Sequence, residues 1–252
     1  MNDVKATTRC LLDPGAAGTH NKANRDAWLA RTLARVPAGS RILDAGAGEQ
    51  QYRRFCTHLN YVSQDFAQYD GLGDGGGLQT QTWDQSNLDI VSDIARIPEP
   101  DAAFDAIMCV EVLEHVPYPV DALRELVRLL KPGGLLIVTA PFCSLTHFAP
   151  YFYQTGYSRY FYEYWLGELG CTILDLDFNG NYFEYLAQEV RRIPGAAQRY
   201  GGGAVRWYEK VAARITLRSL ARLSAADQGS QEFLSYGLHV LSRKGAPAEG
   251  AR

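Results

Sequence analysis

The sequence predicts a doubly wound α/β domain, in which short buried strands alternate with helices. Three observations predict it. Apolar or β-branched runs recur along the first 141 residues, each bounded by turn residues. An amphipathic helical segment separates two of these runs, and one run ends in an acid followed by two closely spaced glycines. Strands and helices that alternate in this way form a parallel sheet with helices on its faces.

The elements of this sheet follow one another along the first part of the chain. A helix over 24–36 carries apolar residues at helical spacing and ends at Pro37-Ala-Gly39. A second helix over 120–130 ends at Lys131-Pro-Gly-Gly134, and its apolar face comprises Leu123, Leu126, Val127 and Leu130. Short apolar runs predict five strands, at 41–44, 61–64, 89–92, 104–110 and 135–139.

The alternation weakens in two segments. Residues 66–88 hold five glycines among polar neighbours and predict a long loop with little helix. From Phe148 to Trp165 more than half of the residues are aromatic, which predicts a lid or pocket wall. Within it, a helix over 158–169 is expected to pack on the sheet through Tyr160, Phe161, Tyr164 and Trp165. Later elements are a helix over 205–223 and strands at 172–178 and 234–242.

Composition limits the class of protein. The 252 residues carry a formal charge of -3 and 46% hydrophobic residues, as an ordinary globular protein does, and this balance argues against nucleic acid as a partner. No apolar run reaches the roughly 20 residues of a membrane span, and the polar start predicts no signal peptide, so we expect a cytoplasmic protein without a membrane partner. Five scattered cysteines predict free thiols and no metal site.

Acidic residues close three successive strands. Asp44 precedes Gly46-Ala-Gly48, a tight turn whose backbone amides are expected to face a nucleoside. The third glycine of a dinucleotide-binding fingerprint is missing, so the turn has no clear binding site for a pyrophosphate. The carboxylate of Asp44 suits a cationic or amine-bearing ligand instead. Asp65 ends the next strand, where an acid can accept from both ribose hydroxyls. Asp93-Ile94 follows the third strand and suits the amino group and the face of adenine.

These residues resemble the class I S-adenosylmethionine-dependent methyltransferases, in the branch related to quinone-biosynthesis enzymes. The resemblance covers about residues 41 to 141. It rests on the strand ends described above and on two further segments, 104–116 and 130–141. It implies a Rossmann-like seven-stranded sheet with the last strand antiparallel, helices on both faces, and S-adenosylmethionine as cofactor. It further implies that Asp44, Gly46 and Gly48 contact the methionine part, Asp65 the ribose, and Asp93 and Ile94 the adenine, with Val110 and Glu111 beside the reacting methyl group.

The resemblance also divides the chain and narrows the group. We expect a single methyltransferase domain over 1–252, with a helical cap over 1–37, a cofactor-binding core over 38–141, and an acceptor-side insert with the last strands over 142–252. Segments near 61–66 and 179–185 look like an uncharacterised bacterial subgroup of the family. Glu49 and the glycine-rich loop after Asp65 depart from the commonest pattern.

The acceptor is expected beside the aromatic segment. Methyl transfer to a hydroxyl requires alignment and removal of a proton, so His147, and as an alternative His115, are the candidate bases. His115 could instead cap the helix that follows the fourth strand. The candidate substrate-binding residues are Tyr151, Tyr153, Tyr157, Arg159 and Tyr160.

The function expected from these features is methylation of a small molecule, most plausibly at a hydroxyl of a sugar or natural product. Nitrogen and carbon acceptors stay open, and a homodimer is possible. Three alternatives remain: a nicotinamide oxidoreductase on the same fold, a non-catalytic protein that binds S-adenosylmethionine, and an enzyme that uses this cofactor for aminocarboxypropyl transfer or cyclisation.

Overall fold

A seven-stranded sheet lies at the centre of the computed structural model, which describes residues 15–246. The strands are β1 (Arg41–Ala45), β2 (Asn60–Asp65), β3 (Ile90–Val91), β4 (Phe104–Val110), β5 (Leu130–Pro141), β6 (Cys171–Asn179) and β7 (Gly237–Lys244). Their order in the sheet is β3-β2-β1-β4-β5-β7-β6. Strands β1 to β5 pair in parallel, and β7 pairs antiparallel with β5. The predicted sheet with an antiparallel last strand is confirmed.

Five α-helices accompany the strands within the described residues. They are α1 (Asn21–Leu33), α2 (Pro119–Leu129), α3 (Arg159–Glu168), α4 (Tyr182–Tyr200) and α5 (Trp207–Ala225). The sequence reasoning did not predict α4, which contains Pro194. The sequence nevertheless contains a capping residue at the start of this helix, Asn181. Its Oδ1 accepts a hydrogen bond from the backbone amide of Glu184 at 3.0 Å, as an N-cap does. No described helix is long and apolar enough to cross a membrane.

The described chain forms two compact units. One holds most of the sheet and comprises Asp26–Asp177 with residues 237–246; the other comprises residues 15–25 and Phe178–Tyr236. In the second unit α4 and α5 pack around Ala187, Leu217 and Leu220. There the carboxylate of Glu184 accepts hydrogen bonds from Gly18 N at 2.8 Å and from the Tyr236 hydroxyl at 2.9 Å, which satisfies a largely buried charge.

The core of the sheet unit explains why its strands are continuous apolar runs. Ile42, Met108 and Ile137 are fully buried on neighbouring strands, and Leu29 and Leu33 of α1 pack against them. Burying each such side chain stabilises the fold by roughly 1.5–3 kcal/mol. The cysteines were predicted to be free thiols, with Cys109 and Cys171 as small apolar residues. Cys109 and Cys171 are buried, and the four described cysteines are all free. Cys10 lies outside the described residues.

Two local predictions were wrong. The buried face of α3 is formed by Tyr162 and Leu166, whereas Tyr160 is 62% and Tyr164 61% exposed. The apolar row was assigned to the wrong side, because aromatic residues at five of the ten positions of this helix allow more than one apolar face. The second error concerns Lys131-Pro-Gly-Gly134. These residues were expected to end the helix before the next strand begins, but they lie within β5, where the register between β5 and β4 shifts.

Candidate cofactor and acceptor site

The carboxyl ends of β1, β2 and β4 bring the predicted acids to one edge of the sheet. Asp44 is in register with Ser63 of β2 and with Met108 of β4, so the ends of three parallel strands lie side by side. Asp44 is 1% and Asp65 6% exposed. In open parallel sheets this edge is where ligands bind.

The turn after β1 needs its two glycines. Gly46 and Gly48 have φ values of 78° and 50°, and a Cβ on either would lie 2.4 Å from a neighbouring side chain, Val112 or Trp83. The expectation that the amides of this turn are open to a ligand was wrong. Gly46 N and Ala47 N each donate to Gln64 O at 2.8 Å, and Gly48 N donates to Asp65 Oδ2 at 2.9 Å. The amides therefore fasten the turn to β2 and orient the carboxylate of Asp65.

Asp44 is a buried carboxyl with an altered proton affinity. Its Oδ2 accepts a 2.6 Å hydrogen bond from the hydroxyl of Tyr61. Burial raises the pKa of Asp44 to about 7, the Tyr61 hydrogen bond opposes this, and the nearby Asp65 charge adds to it. A carboxyl beside a turn whose pKa lies near 7 is suited to ionise when a cationic ligand arrives.

Asp65 is a fixed acceptor. Its Oδ2 binds Gly48 N, and its Oδ1 accepts from Ala67 N and from Gln85 Nε2, both at 3.0 Å. A carboxylate has about four lone-pair positions, so these donors fix its orientation and leave room for a further donor. Asp93 differs, because it is exposed and its Oδ1 accepts from the amide of Ala95 at 2.8 Å, while Ile94 beside it is buried.

The end of β4 carries a strained acidic residue. Glu111 has a φ of 56°, which is uncommon for a residue with a side chain. Its backbone amide donates to Thr139 O at 2.9 Å, and its Oε1 accepts from Thr139 Oγ1 at 2.8 Å. Strain of this kind costs of order 1–3 kcal/mol and is typical of functional positions. Val110, the last residue of β4, is buried.

The glycine-rich loop over 66–88 covers this edge, and it contains turns but no helix, as predicted. Trp83 lies against Gly48. The backbone amide of Asp84 donates to Glu49 Oε1 at 3.1 Å, and Gln50 Nε2 donates to Asn87 O at 2.6 Å. The two departures from the commonest family pattern, Glu49 and this loop, are therefore linked by a hydrogen bond.

Two predicted histidines lie together beside the end of β4. The rings of His115 and His147 are 4.6 Å apart between centroids, and each Nε2 lies 3.8 Å from Oε1 of Glu114. Nδ1 of His115 lies 2.6 Å from Tyr151 O, and Nδ1 of His147 lies 2.8 Å from Leu145 O. Sequence reasoning did not select Glu114 as a candidate site residue, although it directly precedes His115.

The environment of His115 keeps it neutral. Burial lowers its pKa to about 4, the neighbouring His147 lowers it further, and the hydrogen bond to the Tyr151 carbonyl opposes both. A base with so low a pKa is a poor proton acceptor near pH 7. His147 is more exposed than His115, with 22% of its side chain accessible against 14%, so it is the better placed of the two candidate bases.

The predicted substrate-binding residues lie in different surroundings. Tyr157 is buried, and its hydroxyl donates to Leu113 O at 2.7 Å, which favours a structural role. Tyr151 contacts Phe66 edge-on and accepts from His115 through its carbonyl. The other three are on accessible surface: Tyr153 and Tyr160 are exposed, and Arg159 pairs with Glu163 while its guanidinium stacks on Tyr160.

Comparisons with known proteins agree with this architecture. Residues 43–138 match the family described as "Methyltransferase domain". The ubiquinone biosynthesis O-methyltransferase of Xanthomonas oryzae pv. oryzae is 34% identical over 105 residues, which are 40% of this chain and 43% of that protein. This chain therefore aligns with less than half the length of that relative. Demethylmenaquinone methyltransferase of Mycobacterium bovis is 29% identical over 185 residues, 70% of this chain and 72% of that protein.

Solved structures show the same fold. A SAM-dependent methyltransferase from Archaeoglobus fulgidus superposes with a TM-score of 0.53 over 87% of this chain and 92% of its own, at 13% identity. At 13% identity this likeness shows that the two chains share a fold. Residues 43–138 of this chain therefore match a methyltransferase domain, and the chain is similar in sequence to a ubiquinone biosynthesis O-methyltransferase and to a demethylmenaquinone methyltransferase.

Proposed function

We propose that this chain transfers the methyl group of S-adenosylmethionine to a hydroxyl of a small molecule, such as a sugar or a natural product, with His147 as the base. The observation that carries the proposal is the position of the His147 imidazole. Its Nδ1 lies 2.8 Å from the Leu145 carbonyl oxygen, so Nε2 is the basic nitrogen. This Nε2 lies 3.8 Å from Oε1 of Glu114, which follows the last residue of β4 by four positions. A relative named as an O-methyltransferase supports oxygen as the acceptor atom.

The residues at the strand ends have distinct proposed roles. Asp44 would receive the cationic methionine part, Asp65 the ribose hydroxyls, and Asp93 with Ile94 the adenine. Val110 and Glu111 would border the reacting centre. The burial of Asp44 and the fixed orientation of Asp65 support these assignments, because a rigid, partly dehydrated set of acceptors strengthens attraction to a cation.

The reaction is an in-line displacement, for which S-adenosylmethionine supplies an electrophilic methyl group on a sulfonium centre. The acceptor oxygen would bond to the methyl carbon while sulfur would keep the electron pair of the carbon–sulfur bond. Nε2 of His147 would receive the hydroxyl proton. The aromatic side chains of Phe148 and Phe152, whose rings lie 5.5 and 5.1 Å from that of His147, would exclude water from the reacting atoms.

A small acceptor is favoured over nucleic acid by the charge of -3 and by this aromatic surrounding. Titration calorimetry with S-adenosylmethionine and S-adenosylhomocysteine tests the cofactor assignment first. We expect micromolar binding, weakened at least about tenfold in Asp65→Asn and unchanged in Asp177→Ala, an exposed acid on β6. Absence of binding to the natural chain would contradict the proposal.

Turnover with a panel of hydroxylated acceptors then tests the base. His147→Ala is expected to keep its cofactor affinity and to lose about 100-fold or more in turnover, as general bases commonly contribute. His58→Ala, a histidine away from this cluster, is the matched control. Unchanged turnover in His147→Ala removes that residue from the mechanism, and methylthioadenosine as the product would instead indicate aminocarboxypropyl transfer or cyclisation.

A further inference from the structure

The two histidines near Glu114 have the same protonation pattern. In each ring Nδ1 lies within hydrogen-bonding distance of a backbone carbonyl, Tyr151 O for His115 and Leu145 O for His147. A carbonyl oxygen only accepts, so each Nδ1 carries the hydrogen, and each Nε2 of the neutral ring presents a lone pair. Orientation of an imidazole by a carbonyl on its far nitrogen is the arrangement found around metal-binding histidines.

The carboxylate of Glu114 is the third donor. This side chain is fully buried, and its Oε1 lies 3.8 Å from Nε2 of both His115 and His147. One ligand atom from each residue lies within 4.8 Å of those from the others. A tetrahedral ion with bonds of about 2.0–2.1 Å keeps its ligands about 3.3 Å apart. Small side-chain rotations would therefore close the three donors around an ion.

The charge distribution favours a cation at this position. Two nitrogen lone pairs and one carboxylate converge in a poorly solvated environment, where attraction to a positive ion is strong. A metal ion binds the lone pair of a neutral imidazole ring, which the Nδ1 contacts described above leave at Nε2 of both histidines.

The loop that carries His147 is fastened to the turn that carries Glu114. The carbonyl of Glu114 accepts from Tyr153 N at 2.9 Å and from Gln154 N at 3.2 Å. On its other side the loop forms a bridge to Leu78, with Leu78 N donating to Thr146 O at 2.9 Å and Phe148 N to Leu78 O at 3.0 Å. These contacts hold His147 near the other two donors without using its side chain.

We propose that Glu114, His115 and His147 bind one divalent transition-metal ion of the zinc class. Two imidazoles and one carboxylate suit Zn²⁺, Co²⁺ or Fe²⁺, whereas Mg²⁺ prefers oxygen ligands alone. Three protein ligands leave a coordination position open, as in catalytic zinc sites. The site replaces the expectation from the cysteine pattern that the chain holds no metal.

An open position next to the methyl-transfer site gives the ion a role. A hydroxyl bound to such an ion would lose its proton to water more readily, so in the metal-bound protein Nε2 of His147 would be a ligand and would not be the base. This role rests on the proposed function, whereas the binding of the ion does not. Cofactor affinity and metal affinity are therefore measured separately, and failure of one leaves the other result intact.

The test is a metal titration of the full chain after treatment with a chelator and removal of that chelator. Zn²⁺ is titrated in competition with a chromophoric chelator, and Co²⁺ is titrated while its visible absorption is recorded. We expect one equivalent of each ion to bind, a Co²⁺ spectrum typical of four or five ligands, and no competition from millimolar Mg²⁺. Thermal melting of each protein shows whether the variants are folded.

Variants assign the ligands. His147→Ala, on a partly exposed loop, and the isosteric Glu114→Gln should each weaken Zn²⁺ binding by about 100-fold or more, which exceeds the roughly 10- to 100-fold effect of losing an outer-shell partner. His58→Ala removes a histidine elsewhere and should bind as the natural chain does. The proposal is overturned if the natural chain binds no stoichiometric Zn²⁺, or if folded His147→Ala and Glu114→Gln retain its affinity and Co²⁺ spectrum.

Discussion

The hydroxyl of Tyr61 donates a 2.6 Å hydrogen bond to Oδ2 of Asp44, and yet the pKa of this carboxyl is raised to about 7. Burial therefore outweighs the hydrogen bond. The neutral form of Asp44 is compatible with the free protein, and a positive group that comes close further stabilises the ionised form. We therefore expect Asp44 to couple proton binding to stability and, as proposed above, to cofactor binding.

The first prediction concerns stability. A folded pKa near 7 against 3.8 in the unfolded chain means that the folded state holds this proton more tightly. The stabilising contribution is therefore complete below about pH 3.8 and is lost as the pH rises through 7. Asp44→Asn cannot ionise, so between pH 5 and 8 the stability of the natural chain should fall relative to the variant by roughly 2–3 kcal/mol, at about 1.4 kcal/mol per pH unit below the pKa.

Denaturant unfolding of the cofactor-free protein at several pH values measures this difference. The comparison uses the pH slopes of the two proteins and not their absolute stabilities, since the substitution also changes the hydrogen bond from Tyr61. Parallel slopes would mean that Asp44 does not titrate in this range.

The second prediction concerns cofactor affinity. A cation that binds beside Asp44 favours the ionised carboxylate, so binding should release a proton below about pH 7 and tighten as the pH rises from 5.5 to 7.5. Calorimetry near pH 6.5, in buffers with different ionisation enthalpies, counts the protons released. Asp44→Asn should bind more weakly and release fewer protons, and equal proton release would separate Asp44 from the cofactor.

The third prediction concerns the glycine turn. A Cβ at Gly48 would lie 2.4 Å from the Trp83 ring, whereas a Cβ at Gly75 meets nothing within 4 Å, although both residues have positive φ. Both alanine variants bear the cost of the backbone conformation, about 1 kcal/mol. Gly48→Ala should lose a further 1–3 kcal/mol or so, because the overlap forces Trp83 to move.

Thermal melts and cofactor titrations of the two variants make this comparison. In the Trp83→Ala background, Gly48→Ala should cost no more than Gly75→Ala, since the overlapping ring is then absent. If the double variant is as impaired as Gly48→Ala alone, contact with Trp83 is not the reason for glycine at this position.

The fourth prediction separates structure from substrate contact at Tyr157. Its buried hydroxyl donates to the Leu113 carbonyl. Tyr157→Phe leaves that carbonyl without this donor and should lower the free energy of unfolding by about 1–3 kcal/mol. Cofactor affinity and the KM for an acceptor should change little. A large rise in KM with unchanged stability would restore the role that the sequence predicted.

The sequence was sufficient to predict the positions of candidate site residues where they lie close together along the chain or at the ends of successive strands. Asp44, Gly46 and Gly48 lie within five residues of one strand end, and Asp65 follows at the end of the next strand, so turn chemistry and strand order predict their common edge. The parallel sheet followed from its buried apolar runs. The hydrogen bonds that close the turn amides onto β2 were not predictable, because they depend on where Gln64 lies.

Contacts between distant segments were beyond the sequence. Glu114 and His147 are 33 residues apart in number, and their approach depends on the backbone path of an irregular loop fastened to the turn after β4. The face of α3 was misassigned because five of its ten residues are aromatic and extend around more than half of its circumference, so periodicity carried little information. In α4 an internal Pro194 concealed a helix whose capping residues were present.

The bridge between Leu78 and His147 has a consequence for the evolution and engineering of this chain. Loops are ordinarily the segments that tolerate changes in length. Here a deletion in the glycine-rich segment would pull on the backbone of a histidine nearly seventy positions away in sequence. The length of one loop therefore sets the placement of the His147 side chain on another, and grafting either loop alone into a protein of the same fold should misalign that side chain.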